Sequence, residues 1–164
     1  ADPVGVGSVD YPKGKRLAGK VAIVTGAARG MGASFARAIV AQGGSVILGD
    51  VRDEEGLVVE SELGDGAMYV RLDVTSRHDW QHAVDAAQSR FGKLNVLVNN
   101  AGILTTGPVD VYSPLHWDKT IAVNLTGAFN GIQMCLPALR TAAPSSIINV
   151  SSIAGLKGYP GLVG

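Results

Sequence analysis

Cysteine and charge are both scarce in this sequence, and each shortage excludes a class of protein. Cys135 is the single cysteine, so no intrachain disulfide can form. One free thiol favours a reducing compartment, and we expect a cytoplasmic protein, although other compartments also tolerate a free thiol. Charged residues make up 17% of the chain and the formal net charge is +0, which argues against electrostatic binding to nucleic acid or to a membrane surface. We expect neither as a partner.

Long hydrophobic runs, internal repeats and long linkers are absent as well. No apolar stretch approaches the ~18 residues of a membrane-spanning helix. The first residues contain no apolar signal core and carry Asp2 and Asp10. With 46% hydrophobic residues among 164, the chain can bury a core of its own. We expect a loose leader over residues 1–18 and one folded domain over residues 19–164.

Apolar runs alternate with helical patterns along this domain. The runs predict strands over 21–24, 45–49, 68–72, 94–98 and 146–150, and the patterns predict helices over 33–42, from 53 to a stop at 64, over 76–91 and over 113–140. Continuously apolar strands are typical of a parallel sheet that helices cover on both faces. Right-handed crossovers then favour the strand order 3-2-1-4-5, which makes a three-layer, doubly wound α/β fold of Rossmann type.

Three of the predicted helices, those over 33–42, 76–91 and 113–140, carry apolar residues at helical spacing. Trp80 lies in the stripe of the helix over 76–91 and is expected in the core. The stripe of the helix over 113–140 consists of Trp117, Ile121, Leu125, Ala128 and Ile132. We expect this stripe to be buried too.

A glycine-rich segment, Thr25–Gly32, joins the first strand to the first helix. A strand, a glycine-rich turn and a helix in this order form the usual binding site of a nucleotide diphosphate. Gly26 allows a tight turn, while Gly30 and Gly32 leave no Cβ between the backbone and a ligand, or between helix and sheet. The unpaired N–H groups and the dipole of the helix favour an anion there. The spacing is G-x-x-x-G-x-G rather than G-x-G-x-x-G, so a tight turn without a ligand is the alternative.

Polar or glycine-rich residues follow every predicted strand. They are Gly26–Gly32, Asp50, Asp73, Asn99–Gly102 and Ser151–Ser152. Because the carboxyl ends of parallel strands meet at one edge of a sheet, these residues should lie together. The pattern predicts a dinucleotide-binding domain whose ligand lies along that edge.

Asp50 follows the second strand, 18 residues after Gly32, close to the spacing of an acid that holds an adenosine ribose. Its carboxylate can accept hydrogen bonds from two ribose hydroxyls. The 2′-phosphate of NADP would meet a like charge there at about 4 Å, which costs about 4 kcal/mol at an effective dielectric constant of about 20. Arg29 and Arg52 could offset part of that repulsion, and NAD is favoured. The alternative for Asp50 is the cap of a turn.

Other polar residues allow more than one interpretation. Asp73 either meets the adenine edge or caps the helix that begins near Ser76. The segment Asn99–Gly102 offers amides and small residues where a nicotinamide ribose would lie, or it forms only a turn. His78 and His82 are four positions apart and loosely resemble a zinc helix, but no third ligand is suggested. A solvated helix face is favoured, and we expect no metal site.

Taken together, these residues resemble the short-chain dehydrogenase/reductase family from about residue 19 to residue 164. The matching segments occur in family order and at family spacing: Thr25-Gly26-x-x-x-Gly30-x-Gly32, Asp50, Asp73-Val74, Asn99-Asn100-Ala101-Gly102, Val123-Asn124 and Ile148-Asn149-Val150-Ser151-Ser152. The chain is most similar to bacterial NAD-dependent hydroxysteroid dehydrogenases and related alcohol dehydrogenases. The resemblance implies NAD as cofactor, bound by Gly26, Arg29, Gly30, Met31, Gly32, Asp50, Val51, Asp73, Val74, Asn100, Ala101 and Gly102.

The resemblance also implies a catalytic tetrad of Asn, Ser, Tyr and Lys. Ser152 matches the serine whose hydroxyl binds the reacting oxygen, with Ser151 as the near rival. Asn124 matches the asparagine whose backbone carbonyl holds a water of the proton relay. The family tyrosine would fall one residue beyond Gly164, and Tyr159 does not match it because no lysine follows four residues later. We therefore expect the N-terminal, cofactor-binding portion of a longer enzyme, inactive alone and without the last two strands of the family.

The implied activity is that of an NAD-dependent oxidoreductase. It would transfer hydride between nicotinamide and a small secondary alcohol or ketone, with steroid-like molecules as one substrate class. The alternatives are an NADP-dependent reductase of the 3-oxoacyl type and a non-catalytic dinucleotide-binding or interaction protein of the same fold. The resemblance further implies a homo-oligomer, a tetramer or a dimer, whose subunits associate through helices that include the one over 113–140.

Overall fold

A single parallel sheet forms the centre of the domain. The computed structural model describes residues 11–161. The strands are β1 (Val21–Thr25), β2 (Ser45–Asp50), β3 (Ala67–Arg71), β4 (Val96–Asn99) and β5 (Ser146–Asn149). Their order in the sheet is β3-β2-β1-β4-β5, and all neighbouring strands are parallel. The predicted sheet type and strand order are confirmed.

Helices cover the two faces of this sheet. They are α1 (Gly30–Ala41), α2 (Asp53–Leu63), α3 (Arg77–Phe91), α4 (Pro114–Ile121) and α5 (Gly127–Thr141). Helix α1 begins at Gly30, three residues before the predicted start at Ala33. The apolar pattern missed this first turn because it contains two glycines and no apolar periodicity. Helix α3 has Ser76 as its N-cap and ends at Gly92, which is left-handed with φ of 81°.

The hydrophobic core consists of one cluster on each face of the sheet. On one face, Trp80 of α3 and Cys135 of α5 pack with Ile23 and Leu97 of the strands. On the other face, Ala33 and Ala36 of α1 and Val59 of α2 pack with β1 and β2. Alternating side chains of β1 to β4 supply the two clusters, which is why these strands are apolar at consecutive positions. The edge strand β5 is exposed at all four of its positions.

The predicted helix over 113–140 is interrupted in the structure. A π-helical segment, Ala122–Thr126, lies between α4 and α5, and the N–H of Gly127 donates to the carbonyl of Ala122, five residues back. The predicted buried stripe is wrong at two positions, because Trp117 is 44% exposed and Leu125 is 64% exposed. Trp80, the other predicted core tryptophan, is fully buried.

Small residues of α5, as well as large ones such as Leu139, contact the core on this side of the sheet. A Cβ on Gly131 would lie 2.6 Å from Trp80 Cη2, and a Cβ on Gly127 would lie 2.6 Å from Val74 Cγ2. The two glycines therefore make room for side chains that belong to other elements. A periodic apolar pattern does not detect such a face, since the pattern only locates large apolar residues.

The end of the predicted leader contacts helix α1. The N–H of Gly14 donates to the carbonyl of Ala41 at 2.9 Å, and the N–H of Leu17 donates to that of Gln42 at 2.9 Å. These bonds satisfy carbonyl groups that the end of a helix leaves without an intrahelical partner. The leader residues 1–10 lie outside the described residues. Along 11–161, none of the helices combines the length and the hydropathy that crossing a membrane requires.

Candidate functional site

The start of helix α1 is open and offers unpaired backbone N–H groups. Arg29, the N-cap, is extended with φ of −156° and ψ of 177°, and within the described residues no side chain caps this helix start. No acidic side chain lies in the first turn. Gly30 has φ of 56°, a left-handed conformation that disfavours other residues, and a Cβ there would meet nothing within 4 Å. The N–H groups and the helix dipole therefore favour an anion in an accessible position.

Close packing behind this helix start depends on Gly32. A Cβ on Gly32 would lie 2.1 Å from the carbonyl oxygen of Gly26 and 2.7 Å from Asn100 Nδ2. No side chain larger than hydrogen fits in that space, so the first turn of α1 can approach β1 and β4. The glycine-rich segment has the strand–turn–helix geometry that its sequence predicts.

The carboxylate of Asp50 lies at the end of β2 beside the glycine-rich segment. Its Oδ2 accepts a 2.9 Å hydrogen bond from the N–H of Ala28. Its Oδ1 accepts from the N–H groups of Val51 at 2.8 Å and Arg52 at 3.1 Å. An ionised carboxylate has about four acceptor positions, so about one remains for a ligand. Asp50 thus caps its own turn and still presents an oxygen at the carboxyl edge of the sheet.

Thr25 and Asn100 hold the ends of β1 and β4 together. Thr25 Oγ1 accepts hydrogen bonds from the N–H groups of Asn100 at 3.0 Å and Ala101 at 2.9 Å. Asn100 Nδ2 donates to the carbonyl of Thr25 at 2.8 Å. Among the described residues, the buried Asn100 Oδ1 has no hydrogen-bond partner. Sequence reasoning missed the role of Thr25, although a threonine that ends a buried apolar strand is the signal for it.

Asp73 and Val74, at the end of β3, have separate surroundings. Asp73 Oδ1 accepts from the N–H of Thr75 at 2.9 Å and from its hydroxyl at 2.8 Å, so Asp73 closes the turn after β3. Ser76, not Asp73, caps α3. Val74 is buried, and its carbonyl accepts a 2.9 Å hydrogen bond from Trp80 Nε1.

A cleft of about 390 Å³ opens between the ends of β1, β4 and β5 and the π-helical segment. Its lining includes Thr25, Val74, Ala101, Asn124 and Ser151. The cleft therefore brings together residues from four of the predicted strand ends and from the helix over 113–140.

Ser152 and Asn124, the two predicted catalytic residues, lie at different places around this cleft. Asn124 belongs to the π-helical segment, and its side chain pairs with the backbone of Ile103, Oδ1 accepting from the N–H and Nδ2 donating to the carbonyl, each at 2.9 Å. Ser152 is exposed and caps a short 3-10 turn, Ile153–Gly155, by accepting from the N–H of Ala154 at 3.2 Å. Ser151 lines the cleft and Ser152 is not among its lining residues.

The histidine pair of α3 has no metal-binding geometry. The His78 side chain is 94% exposed, and His78 Nδ1 lies 3.6 Å from Asp79 Oδ1. Asp79 is already occupied, because its carboxylate accepts from the Ser76 hydroxyl and from the N–H of Asp73. Over residues 11–161, no group of three His, Cys, Asp or Glu side chains is placed to hold a metal ion.

The site geometry agrees with a comparison against known protein families. The family model described as "short chain dehydrogenase" matches residues 20–164. The chain belongs to the short chain dehydrogenase family. The resemblance and the fold predicted from the sequence are thereby confirmed.

Individual members of the short chain dehydrogenase family are similar to this chain over most of its length. A 3-alpha-(or 20-beta)-hydroxysteroid dehydrogenase of Mycobacterium tuberculosis (strain ATCC 25618 / H37Rv) is 54% identical over 143 residues, which cover 87% of this chain and 55% of that protein. A trans-4-hydroxycyclohexanecarboxylate dehydrogenase of Sinomonas cyclohexanicum is 46% identical over 153 residues, covering 88% of this chain and 59% of that protein. The chain thus spans little more than half the length of the curated relatives that it matches.

A solved structure has the same fold. It is the crystal structure of a short chain dehydrogenase/reductase from Burkholderia phymatum in complex with NAD. The TM-score is 0.85 at 33% sequence identity, and the match covers 89% of this chain and 53% of that chain.

Proposed function

We propose that the complete protein is an NAD-dependent oxidoreductase that transfers hydride between nicotinamide and a secondary alcohol or ketone. One observation carries the proposal. The uncapped start of α1, the Asp50 carboxylate and the Thr25–Asn100 pair lie at the same edge of the sheet, on the adjacent strands β2, β1 and β4. A ribose acceptor after β2, an anion site after β1 and an amide-lined cleft after β4 follow one another along this edge in the order of the adenosine ribose, diphosphate and nicotinamide ribose of a dinucleotide.

The residues present fit NAD in their donor chemistry. The backbone N–H groups of Gly30, Met31 and Gly32 would bind the diphosphate, with Arg29 beside them. The remaining acceptor position of Asp50 would hold an adenosine ribose hydroxyl, as its charge would repel a 2′-phosphate. Further contacts are assigned to Gly26, Val51, Asp73, Val74, Asn100, Ala101 and Gly102. When bound, NAD supplies the hydride acceptor or donor.

The chain's own residues have distinct parts in the proposed reaction. Ser152 would donate a hydrogen bond to the reacting oxygen. Asn124 lines the cleft, and its backbone carbonyl would accept a hydrogen bond from a water of the proton relay. The clamp between Asn124 and Ile103 also fixes the loop that begins the substrate side of the cleft. The relatives named above are dehydrogenases of ring-bearing alcohols. We therefore assign alicyclic secondary alcohols and ketones, steroid-like ones included, as the substrate class.

Cofactor titration of the complete protein tests this function. Calorimetry with NADH and NADPH should give at least about tenfold tighter binding of NADH, because about 1.4 kcal/mol of the repulsion at Asp50 is enough for that ratio. Tighter NADPH binding would favour a reductase of the 3-oxoacyl type. NADH binding without turnover of any cyclic alcohol would favour a non-catalytic dinucleotide-binding protein. Absence of binding to either cofactor would refute the proposal.

We also propose that the complete protein is a cytoplasmic homo-oligomer, a dimer or a tetramer. Trp117 of α4, Leu125 of the π-helical segment and Phe129 of α5 are exposed, and these apolar side chains support burial against another subunit. Cys135 is a buried free thiol, which agrees with a reducing compartment. Light scattering coupled to gel filtration measures the subunit number, and a monomer would contradict the assembly.

A further inference from the structure

Two side chains of the edge strand β3 reach the turn that follows Asp50. The Tyr69 hydroxyl lies 2.7 Å from Asp53 Oδ1 and 2.8 Å from the carbonyl oxygen of Asp50, and its proton serves these two acceptors. Arg71 Nη1 donates to Asp53 Oδ2 at 2.8 Å and to the carbonyl of Val51 at 3.0 Å. Tyr69 and Arg71 are two positions apart on one strand, so both side chains point to the same face.

Tyr69 is itself held in place by helix α2. A Cβ on Gly56 would lie 2.2 Å from ring atoms Cδ2 and Cε2 of Tyr69, so the ring lies directly on the helix backbone. Glu60 Oε1 accepts a 3.1 Å hydrogen bond from the N–H of Tyr69. The hydroxyl therefore has a fixed position at the start of α2, where Asp53 is the first residue.

The electrostatics of Tyr69, Asp53 and Arg71 keep each of the three side chains in one protonation state. Burial, and then the hydrogen bond to Asp53, raise the pKa of Tyr69 above its usual value. The hydrogen bonds from Tyr69 and then from Arg71 lower the pKa of Asp53. A neutral phenol, a carboxylate and a guanidinium therefore persist together around neutral pH.

The turn that these side chains hold also holds the glycine-rich segment. Tyr69 and Arg71 donate to the carbonyl groups of Asp50 and Val51, and the carboxylate of Asp50 accepts from the N–H of Ala28. The carbonyl of Asp50 also accepts from the N–H of Leu72 at 2.9 Å, so Tyr69 adds to a backbone bond there. A continuous set of hydrogen bonds thus runs from β3 through the Asp50–Asp53 turn to the loop before α1. None of it is needed to complete the sheet, whose β2–β3 ladder is formed by the backbone.

We propose that Tyr69 is a positioning residue for the adenosine half of the cofactor site, and that Arg71 and Asp53 act with it. By holding the Asp50–Asp53 turn, the three side chains keep the Asp50 carboxylate where it meets the adenosine ribose and discriminates against a 2′-phosphate. This inference rests on the proposed binding of NAD. Tyr69 acts through Asp50 and touches no reacting atom.

The test is Tyr69→Phe in the complete protein, because phenylalanine keeps the ring on Gly56 and removes only the hydroxyl. The Kd of NADH and that of ADP-ribose, a probe of the adenosine half, should both rise about three- to tenfold, as expected for one hydrogen bond. The Kd of NADPH should rise less, so the ratio of the Kd of NADPH to the Kd of NADH falls. The kcat at saturating NADH should be unchanged while the KM for NADH rises. Hydrogen exchange at the amides of Val51 and Arg52 should be faster.

A matched control separates positioning from general loosening. Glu62→Gln removes an ion pair with Arg37 near the other end of the same helix, α2, and should leave both cofactor Kd values unchanged. Arg71→Gln should reproduce the selectivity change, and it serves as the second variant where Tyr69→Phe folds poorly. Wild-type Kd values in a folded Tyr69→Phe or Arg71→Gln protein overturn the inference and leave the proposed function standing. A wild-type protein that binds no NADH overturns the proposed function itself.

Discussion

Asp50 Oδ2 accepts a 2.9 Å hydrogen bond from the backbone N–H of Ala28, across the gap between the end of β2 and the glycine-rich segment. Two other backbone N–H groups bond to Oδ1. The Asp50 carboxylate thus fixes the geometry of the loop through these three hydrogen bonds. Turn capping and ribose binding, which are alternatives on sequence grounds, are compatible in one side chain because a carboxylate has about four acceptor positions.

The first prediction concerns Gly32. In Gly32→Ala the new Cβ would lie 2.1 Å from the carbonyl oxygen of Gly26, so α1 must move away from β1. We expect a loss of about 2 kcal/mol in the free energy of unfolding, and weaker NADH binding since the N–H groups move with the helix. Urea unfolding and calorimetry measure the two effects.

Gly158→Ala is the matched control for this substitution. A Cβ on Gly158 would meet nothing within 4 Å, so its free energy of unfolding should stay within about 0.5 kcal/mol of wild type. Equal losses in Gly32→Ala and Gly158→Ala would show that the contact behind α1 does not matter.

The sheet could be predicted from the sequence because its signal is local. Each strand is a continuous apolar run, and parallel strands need helical crossovers of the kind that the intervening segments predict. The strand order follows from that alternation and the handedness of the crossovers. The strand ends follow in turn, so Asp50 and Asn100 could be placed at one edge without a structure.

The contacts that depend on distant residues could not be predicted in this way. The π-helical segment Ala122–Thr126 has no pattern of its own, and the packed face of α5 includes Gly127 and Gly131, which an apolar stripe does not mark. Likewise, the bond from Tyr69 to Asp53 joins residues 16 positions apart, through a ring that needs Gly56 beneath it. Neither feature leaves a periodic signal.

The second prediction concerns the hydroxyl of Thr25. Thr25→Val keeps the shape but leaves the N–H groups of Asn100 and Ala101 without their acceptor. We expect a loss of about 2 kcal/mol in the free energy of unfolding and a higher Kd for NADH, because the end of β4 is no longer fixed. Thr25→Ser keeps the acceptor and should lose less than half as much. If serine and valine destabilise equally, lost methyl packing rather than hydrogen bonding explains the effect.

The third prediction concerns the pH dependence of the Arg37–Glu62 pair, which joins α1 to α2. Arg37 Nε and Nη2 donate to the two Glu62 oxygens at 2.8 and 2.6 Å. The hydrogen bond from Arg37 lowers the pKa of Glu62, so this stabilisation is present above the unfolded pKa of about 4.3 and is lost as pH falls through the lower folded pKa. Both side chains are about a third or more exposed, which limits its size to less than about 1 kcal/mol.

Urea unfolding of wild type and Glu62→Gln measures that dependence. The difference between the two should be constant from pH 7 to pH 5, shrink below about pH 4 and be smaller in 1 M salt, where the Debye length is about 3 Å. A difference that is unchanged at pH 3 would mean that packing, and not charge, links the two helices.

The fourth prediction concerns the side chain of Asn124 in the π-helical segment. Asn124→Ala removes both hydrogen bonds to Ile103, whereas Asn124→Asp keeps an acceptor for the N–H of Ile103 and cannot donate to its carbonyl. Hydrogen exchange at Ile103 should therefore be fastest in the alanine variant and intermediate in the aspartate variant.

At about 1 kcal/mol for each bond, kcat/KM of the complete enzyme should fall about tenfold or more in Asn124→Ala, through a loosened loop beside the cleft. The Kd of NADH should change less than kcat/KM, because the diphosphate and adenosine ribose contacts come from α1 and β2 and not from the segment before Ile103. Thr126→Ala, at an exposed position of the same segment, should leave all three measurements unchanged. If Asn124→Ala exchanges fast at Ile103 but keeps the wild-type kcat/KM, the two hydrogen bonds between Asn124 and Ile103 contribute to stability and not to catalysis.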